Sequence, residues 1–197
     1  MGKRQLVILT AILVSVLSLS NISLAGTYKI DPTHSTFGFA ITHMKVGTTR
    51  GVFTDYKGEV HFDAENPGAL SGWVIINAGS IDTRLEARDK HLKGRDFFDV
   101  ENYPTILFRI KKLVRKGDDY EILGDLTMRG IRREVSGPAF ILGPVTSPFG
   151  GEVIGLSGWT VINRRDFGIS WNDKMPDGGF VVGDEVKIII DIEADKK

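Results

Sequence analysis

The 197-residue chain has no cysteine. That excludes disulfides, thiolate metal sites, a cysteine nucleophile and lipid attached through a thiol, so the fold must rest on its core. Histidine is scarce: His34, His43, His61 and His91 are scattered, and none shows the short spacing of a zinc motif. Net charge is lacking as well. The 25 basic residues balance 25 acidic ones, which favours neither nucleic acid nor an anionic membrane surface as a partner. No phosphate-binding loop and no dinucleotide fingerprint is present. Gly155-Leu156-Ser157-Gly158 falls short of a nucleophile elbow, because no helix is expected after it. Carboxylates are plentiful, but no spacing sets a pair across a cleft.

Long apolar runs are confined to the start of the chain. Lys3 and Arg4 precede the uncharged stretch Leu6 to Leu19, and Ser23-Leu24-Ala25 follows. A basic start, an apolar run and a small-x-small site make the pattern of a secretory signal peptide. The run is short for a membrane span of about 20 residues. The pattern predicts a signal segment over 1–25, cleavage after Ala25, and one domain over 26–197. It also predicts export to the bacterial periplasm, with no integral membrane segment after cleavage.

What is abundant is strand-forming sequence. Segments rich in Val, Ile, Phe and Thr are broken by Gly, Pro, Asn and Asp. Strands are predicted near 35–43, 50–55, 58–63, 70–79, 105–114, 119–128, 132–142, 153–163 and 184–194. Tyr56-Lys57-Gly58, Lys116-Gly117-Asp118 and Arg129-Gly130 have turn chemistry, and links this short join antiparallel neighbours. One helix stands out over 84–93, with Thr83 and Glu86 as a capping box and Gly94 as a left-handed stop. Many strands with one short helix predict an all-β fold, an antiparallel barrel or sandwich. A closed barrel of about eight strands holds its own side chains or one small ligand.

Leu70 to Asn77 reads LSGWVIIN, and Leu156 to Asn163 reads LSGWTVIN. The flanks of the two copies do not match, so duplication gives way to local convergence. In each copy one face carries Leu, Gly, Val/Thr and Ile, and the other carries Ser, Trp, Ile/Val and Asn. Both faces are apolar, which predicts burial on both sides. One side faces the barrel interior; the other needs a cover, such as the helix or a second subunit. If every link reverses direction, the two Asn ends share one rim. Bursts of polarity follow them, with Arg88, Asp89 and His91 after the first copy and Arg164, Arg165 and Asp166 after the second. The pattern is an apolar interior with a charged mouth.

Several motifs in order carry a family resemblance. They begin with Asp31-Pro32-Thr33-His34-Ser35, Phe37, Phe39, His43 and Arg50-Gly51-x-Phe53. Arg88-Asp89-x-His91-Leu92, Asp96-Phe97-Phe98-Asp99 and Tyr103-Pro104-x-Ile106-x-Phe108 follow. Leu126-Thr127-Met128-Arg129-Gly130 and Asn163-Arg164-x-Asp166-Phe167-Gly168 complete the set. Over nearly all of the chain after the signal, the sequence resembles the YceI-like polyisoprenoid-binding family. The resemblance implies a lipocalin-like antiparallel β-barrel of about eight strands with one short helix and an elongated apolar cavity. It implies binding of a long isoprenoid or related amphipathic lipid, often by a dimer. It carries over no catalytic set.

On this reading the cavity-lining candidates are Phe37, Phe39, Ile41, Phe53, Trp73, Ile75, Leu126, Met128, Trp159 and Val161, with Phe97 and Phe98 at one end. The plainer alternative is that they fill a solid core. Arg88 and His91 lie three residues apart on one helix and share a face. With Arg164 they are candidates to grip a head group, since guanidinium suits bidentate recognition of oxygen. The alternative is an ion-pair lattice pinning the helix to the barrel. The expected partner is a polyprenyl, quinone or fatty-acyl lipid, and a homodimer is expected. No cofactor or metal is required and no catalysis is expected. Two other readings stand beside this one: an enzyme working on a hydrophobic molecule through the charged rim, and a solid-barrel stress or interaction protein.

Overall fold

The computed structural model describes residues 25–197. The signal segment predicted over 1–25 therefore lies outside the described residues, apart from Ala25. Among the described residues the strands are β1 (Gly26–Ile30), β2 (Thr36–His43), β3 (Gly47–Phe53), β4 (Tyr56–Phe62), β5 (Ser71–Asn77) and β6 (Ile81–Asp82). They continue with β7 (Thr105–Lys116), β8 (Asp119–Met128), β9 (Ile131–Thr146), β10 (Glu152–Asn163) and β11 (Val182–Lys196). The one α-helix, α1, spans Glu86–Lys93. Two of the strands, β1 and β6, go beyond those predicted. No helix among the described residues is long and apolar enough to cross a membrane.

Hydrogen-bonded neighbours run β1-β4-β5-β7-β8-β9-β10-β11, and β11 pairs back onto β1. This closes an eight-stranded barrel, all of whose pairs are antiparallel. Closure removes the free sheet edges that would otherwise invite aggregation. The first half of β11 also pairs with β2, which carries β3 and β6 as a flap. The β8–β9 link is a tight turn with Arg129 and Gly130 at φ 50° and 71°. Two left-handed residues in succession match the twist of a hairpin.

The Asp31–Ser35 motif explains how β1 and β2 share one neighbour. Asp31 N–H donates to the Glu193 carbonyl at 2.9 Å. Ser35 Oγ accepts from Glu193 N–H at 3.0 Å and donates to the Glu193 carbonyl at 3.2 Å. Asp31 Oδ1 accepts from Thr33 N–H at 2.8 Å, closing a local turn. The chain thus steps sideways at this corner while keeping hold of β11. His34 takes no part in these backbone bonds. Its exposed Nδ1 lies 2.6 Å from Asp31 Oδ2.

The core has two clusters, one toward each end of the barrel. Tyr28, Phe62, Leu70 and Ile154 belong to one; Phe97, Ile106, Leu126 and Phe167 belong to the other. Between them lies space, described below.

Two helix signals are corrected. Thr83 does not cap α1: it is buried, and its Oγ1 donates to Asp89 Oδ1 at 2.5 Å. Arg84 turns left-handed at φ 63°, and the first helical residue is Glu86, with Leu85 at the cap. Gly94 stops the helix in an extended conformation at φ −74°, not a left-handed one.

Candidate apolar cavity

The repeated strand shows how the wall is built. A Cβ on Gly72 would lie 2.5 Å from the Glu59 carbonyl oxygen, and one on Gly158 would lie 2.5 Å from that of Pro138. In both copies, therefore, glycine lets the neighbouring strand close in. Each copy also ends alike. Asn77 Oδ1 accepts from Gly79 N–H at 3.0 Å, and Asn163 Oδ1 accepts from Arg165 N–H at 2.9 Å. Each Asn so caps a single 3₁₀ turn, and β5 and β10 run the same way, so both turns lie at one rim.

Strand alternation then decides the faces. Leu70, Val74 and Ile162 are buried, so the Leu-Gly-Val/Thr-Ile face looks inward. The tryptophans look out. Trp73 lies between Glu59 and Arg109 across the two ladders. Trp159 is 45 % exposed, with the Lys187 ammonium 4.6 Å from its ring centre. Both border the cavity, but their rings lie on the outer face. Ile75 and Val161 share that outer face and do not reach the cavity. The expected cover over the outer face is not α1, since Trp159 and Val161 stand exposed.

A cavity of about 370 Å³ runs between the two core clusters. Phe37, Phe39 and Ile41 line it from β2, Phe53 from β3, and Leu126 and Met128 from β8. Phe97 and Phe98 also line it, and Phe98 meets Phe53 edge to face at 5.7 Å between ring centres. Further walls come from Phe108 and Ile110 on β7 and from Val186, Ile188 and Ile190 on β11. The alternation of apolar residues in Val186-Lys187-Ile188 and onward would have disclosed the β11 set. Trp171, also lining, follows no regular period and gave no signal.

The rim residues divide. Arg88 and His91 both border the cavity from α1. Arg88 Nε donates to Thr83 Oγ1 at 2.7 Å and Nη2 to the Thr83 carbonyl at 2.8 Å. Its Nη1 has no partner among the described residues, so donors remain for a guest. The His91 ring packs edge-on against Phe97 and Trp171, at 5.0 and 4.8 Å, and its Nε2 lies 3.2 Å from Asp96 Oδ2. Arg164 is different. It is buried, and Nε donates to the Gly183 carbonyl, Nη1 to those of Ile169 and Trp171, and Nη2 to Asp184. Burial pushes its guanidinium below the ordinary value, and Asp184 pulls it back up. Arg164 also borders the cavity, but four of its five N–H donors are committed to the chain between β10 and β11, so it acts there as a clamp. No Asp, Glu or Lys lines the cavity among the described residues.

One cluster outside the cavity brings histidine and carboxylates together: Asp31, His34 and Glu193, with candidate ligand atoms within 4.8 Å of one another. Asp31 already accepts from Thr33 and pairs with His34.

The sequence model of the YceI-like domain matches residues 28–194. The chain belongs to the YceI-like family. Protein YceI of Escherichia coli is 35 % identical over 173 residues, covering 87 % of each chain. Protein YceI of Salmonella newport is 33 % identical over 183 residues, covering 92 % of this chain and 93 % of that one. Among solved structures, BcnA of Burkholderia cenocepacia superposes with a TM-score of 0.73 at 23 % identity, over 83 % of this chain and 98 % of its own. The YceI protein of Campylobacter jejuni gives 0.66 at 28 % identity, over 80 % and 90 %. A polyisoprenoid binding domain from Saccharophagus degradans gives 0.63 at 11 % identity, over 88 % and 100 %, and so shares the fold.

Proposed function

We propose that the protein binds, stores or carries a long-chain isoprenoid or related amphipathic lipid in the periplasm, without chemical turnover. The observation that carries this reading is the cavity: a largely apolar tunnel bordered by Arg88 and His91, with no Asp, Glu or Lys in its lining among the described residues. Each methylene taken from water contributes roughly 0.8 kcal/mol. Ten of them give on the order of 8 kcal/mol, before the cost of ordering protein and chain. A polyprenyl, quinone or fatty-acyl tail supplies such groups, and the free Nη1 of Arg88 supplies a donor for an oxygen at the head. The name of the Saccharophagus neighbour, a polyisoprenoid binding domain, points the same way.

The solid-barrel alternative loses ground, since it would leave no such space. An enzyme working on a hydrophobic molecule through the charged rim would use Arg88 and His91, which border the cavity, and turnover that collapses on changing either would favour it. A homodimer belongs to the proposal, and exposed Leu142, Val145 and Phe149 on the β9–β10 arm offer it an apolar face.

The test is native mass spectrometry of the chain purified without detergent from its own periplasm, followed by solvent extraction. A discrete added mass matching a polyprenyl, quinone or fatty-acyl lipid is expected, on a dimer. A bare chain that also takes up no added lipid would overturn the reading.

A further inference from the structure

Three segments outside the closed ring of strands frame one end of the cavity. The flap contributes Thr42 and His43, α1 contributes Arg88 and His91, and the stretch leading into β11 contributes Trp171 and Val181. They are fastened to one another. Met44 N–H donates to the Val181 carbonyl at 2.8 Å, Lys45 Nζ donates to the Gly178 carbonyl at 2.6 Å, and the His91 ring packs edge-on against Trp171. His43 pairs with Val182 at the start of β11, whereas the β9–β10 arm meets β11 near Asp195, at the far end of the barrel.

The outside of this frame is apolar at its tips. Val46, in the turn between β2 and β3, is 93 % exposed, and Met44, Leu85 and Phe180 are half-exposed. A side chain as exposed as Val46 adds little to the core, and exposed apolar groups gathered at one end mark a contact surface. Charge is unevenly spread as well. Residues 42–50, 83–97 and 172–181 hold eight Lys and Arg against five Asp and Glu. The rest of the described chain holds 15 against 20. Arg50, Arg84, Lys90, Lys93 and Arg95 make no ion pair among the described residues. The neutral total thus conceals a basic end on an otherwise acidic barrel.

We propose that this end of the barrel docks on an anionic lipid bilayer, with Val46, Met44 and Phe180 entering the headgroup region and the Lys and Arg of the flap and α1 lying over the phosphates. The inference rests on reading the cavity as a lipid site, and it supplies what that reading leaves open, the place where the lipid is loaded. The occupant follows from two features together. Apolar tips alone would suit a second protein as well. Apolar tips in a basic setting suit a surface that is anionic above and hydrocarbon beneath. The docked end is also the end framed by the flap and α1, so a lipid drawn from the bilayer reaches the cavity without a long passage through water. The arm that offers a dimer face lies at the other end and stays free.

The test is sedimentation with vesicles of mixed phosphatidylglycerol and phosphatidylethanolamine, and with vesicles of phosphatidylcholine alone. Uptake of farnesol is measured separately by equilibrium dialysis. The parent should sediment with the anionic vesicles and be released by high salt. Val46→Asp removes no packed group, so its urea curve and its farnesol uptake should match the parent's. Its binding to anionic vesicles should fall about fivefold or more, and Phe180→Ser should behave alike. Failure of the parent to bind anionic vesicles, equal binding to both kinds of vesicle, or parent-like binding by both variants would overturn the docking surface and leave the cavity reading standing. Vesicle binding by a parent that takes up no farnesol would overturn the cavity reading, and the loading role with it.

Discussion

Arg164 Nη2 donates to Asp184 Oδ1 at 3.1 Å, from a side chain only 3 % exposed. The same guanidinium holds three backbone carbonyls on either side of the irregular stretch before β11. Arg164→Met should therefore act on stability first. It leaves those carbonyls without their partner, while Asp184 keeps Arg165 at 2.8 Å, and the orphaned acceptors should cost on the order of 3 kcal/mol in all. Arg164→Lys should recover little of this, because an ammonium cannot reproduce the planar fork. Urea unfolding of both variants checks the expectation. Loss of lipid with unchanged stability would instead make Arg164 a head-group residue.

The glycine of the repeated strand yields a paired prediction. A methyl on Gly158 would strike the Pro138 carbonyl oxygen at 2.5 Å, a backbone atom that cannot swing aside. Gly158→Ala should destabilise by about 1–3 kcal/mol through overpacking. Three residues earlier, a methyl on Gly155 would meet Leu142 Cβ at 3.5 Å, an ordinary contact. Gly155→Ala should change stability by no more than about 0.5 kcal/mol. Thermal denaturation of the two variants separates close approach from mere strand position.

The His34–Asp31 pair predicts a pH dependence. Its hydrogen bond to Asp31 raises His34 above its usual 6.5, and the Thr33 backbone and side chain, then His34, hold Asp31 below its usual 3.8. A raised histidine contributes stability that is complete below the unfolded value and is lost as pH rises through the folded one. A depressed carboxylate contributes above its unfolded value and loses its effect as pH falls. The pair should thus be strongest between about pH 4 and 6.5. The gap in melting temperature between the parent and His34→Gln should be widest there and shrink as pH rises further. A gap independent of pH would show that the ion pair adds nothing. His34 is exposed and Asp31 only partly covered, so the effect should be small and fall with salt.

The barrel was legible because strand alternation and turn chemistry are local. Most predicted strands recur within a residue or two of the observed ones. β1 escaped because Gly26–Ile30 is short and abuts the predicted signal segment, although Tyr28 and Ile30 are buried deeply. The capping box failed for a competing reason: Asp89 took the Thr83 hydroxyl first. The two faces of the repeat were separated correctly, but which one looks inward depends on where the neighbouring strand approaches glycine. That is a fact of pairing, not of the strand's own sequence. The framework side of Arg164 was not legible, because the carbonyls of Ile169, Trp171 and Gly183 converge on it only once the irregular stretch is folded.

The lining itself can be divided between guest contact and framework. Leu126 is 6 % exposed and belongs to one of the core clusters. Leu126→Ala removes packed methyl groups and should cost about 2–5 kcal/mol. Phe39 lies on β2, outside the closed ring of strands, half-buried and 6.2 Å from the Phe53 ring. Phe39→Gln should cost less than Leu126→Ala, because the flap gives way more easily than the ring. It also sets an amide against the apolar chain, and an amide that loses its water without gaining a partner costs about 1–3 kcal/mol. Lipid affinity should then fall about tenfold or more while the unfolding midpoint shifts only slightly. Titration of both variants with one isoprenoid, beside their urea curves, places each residue. If Phe39→Gln loses stability as fully as Leu126→Ala and keeps its affinity for lipid, Phe39 is framework and the guest lies deeper in the barrel.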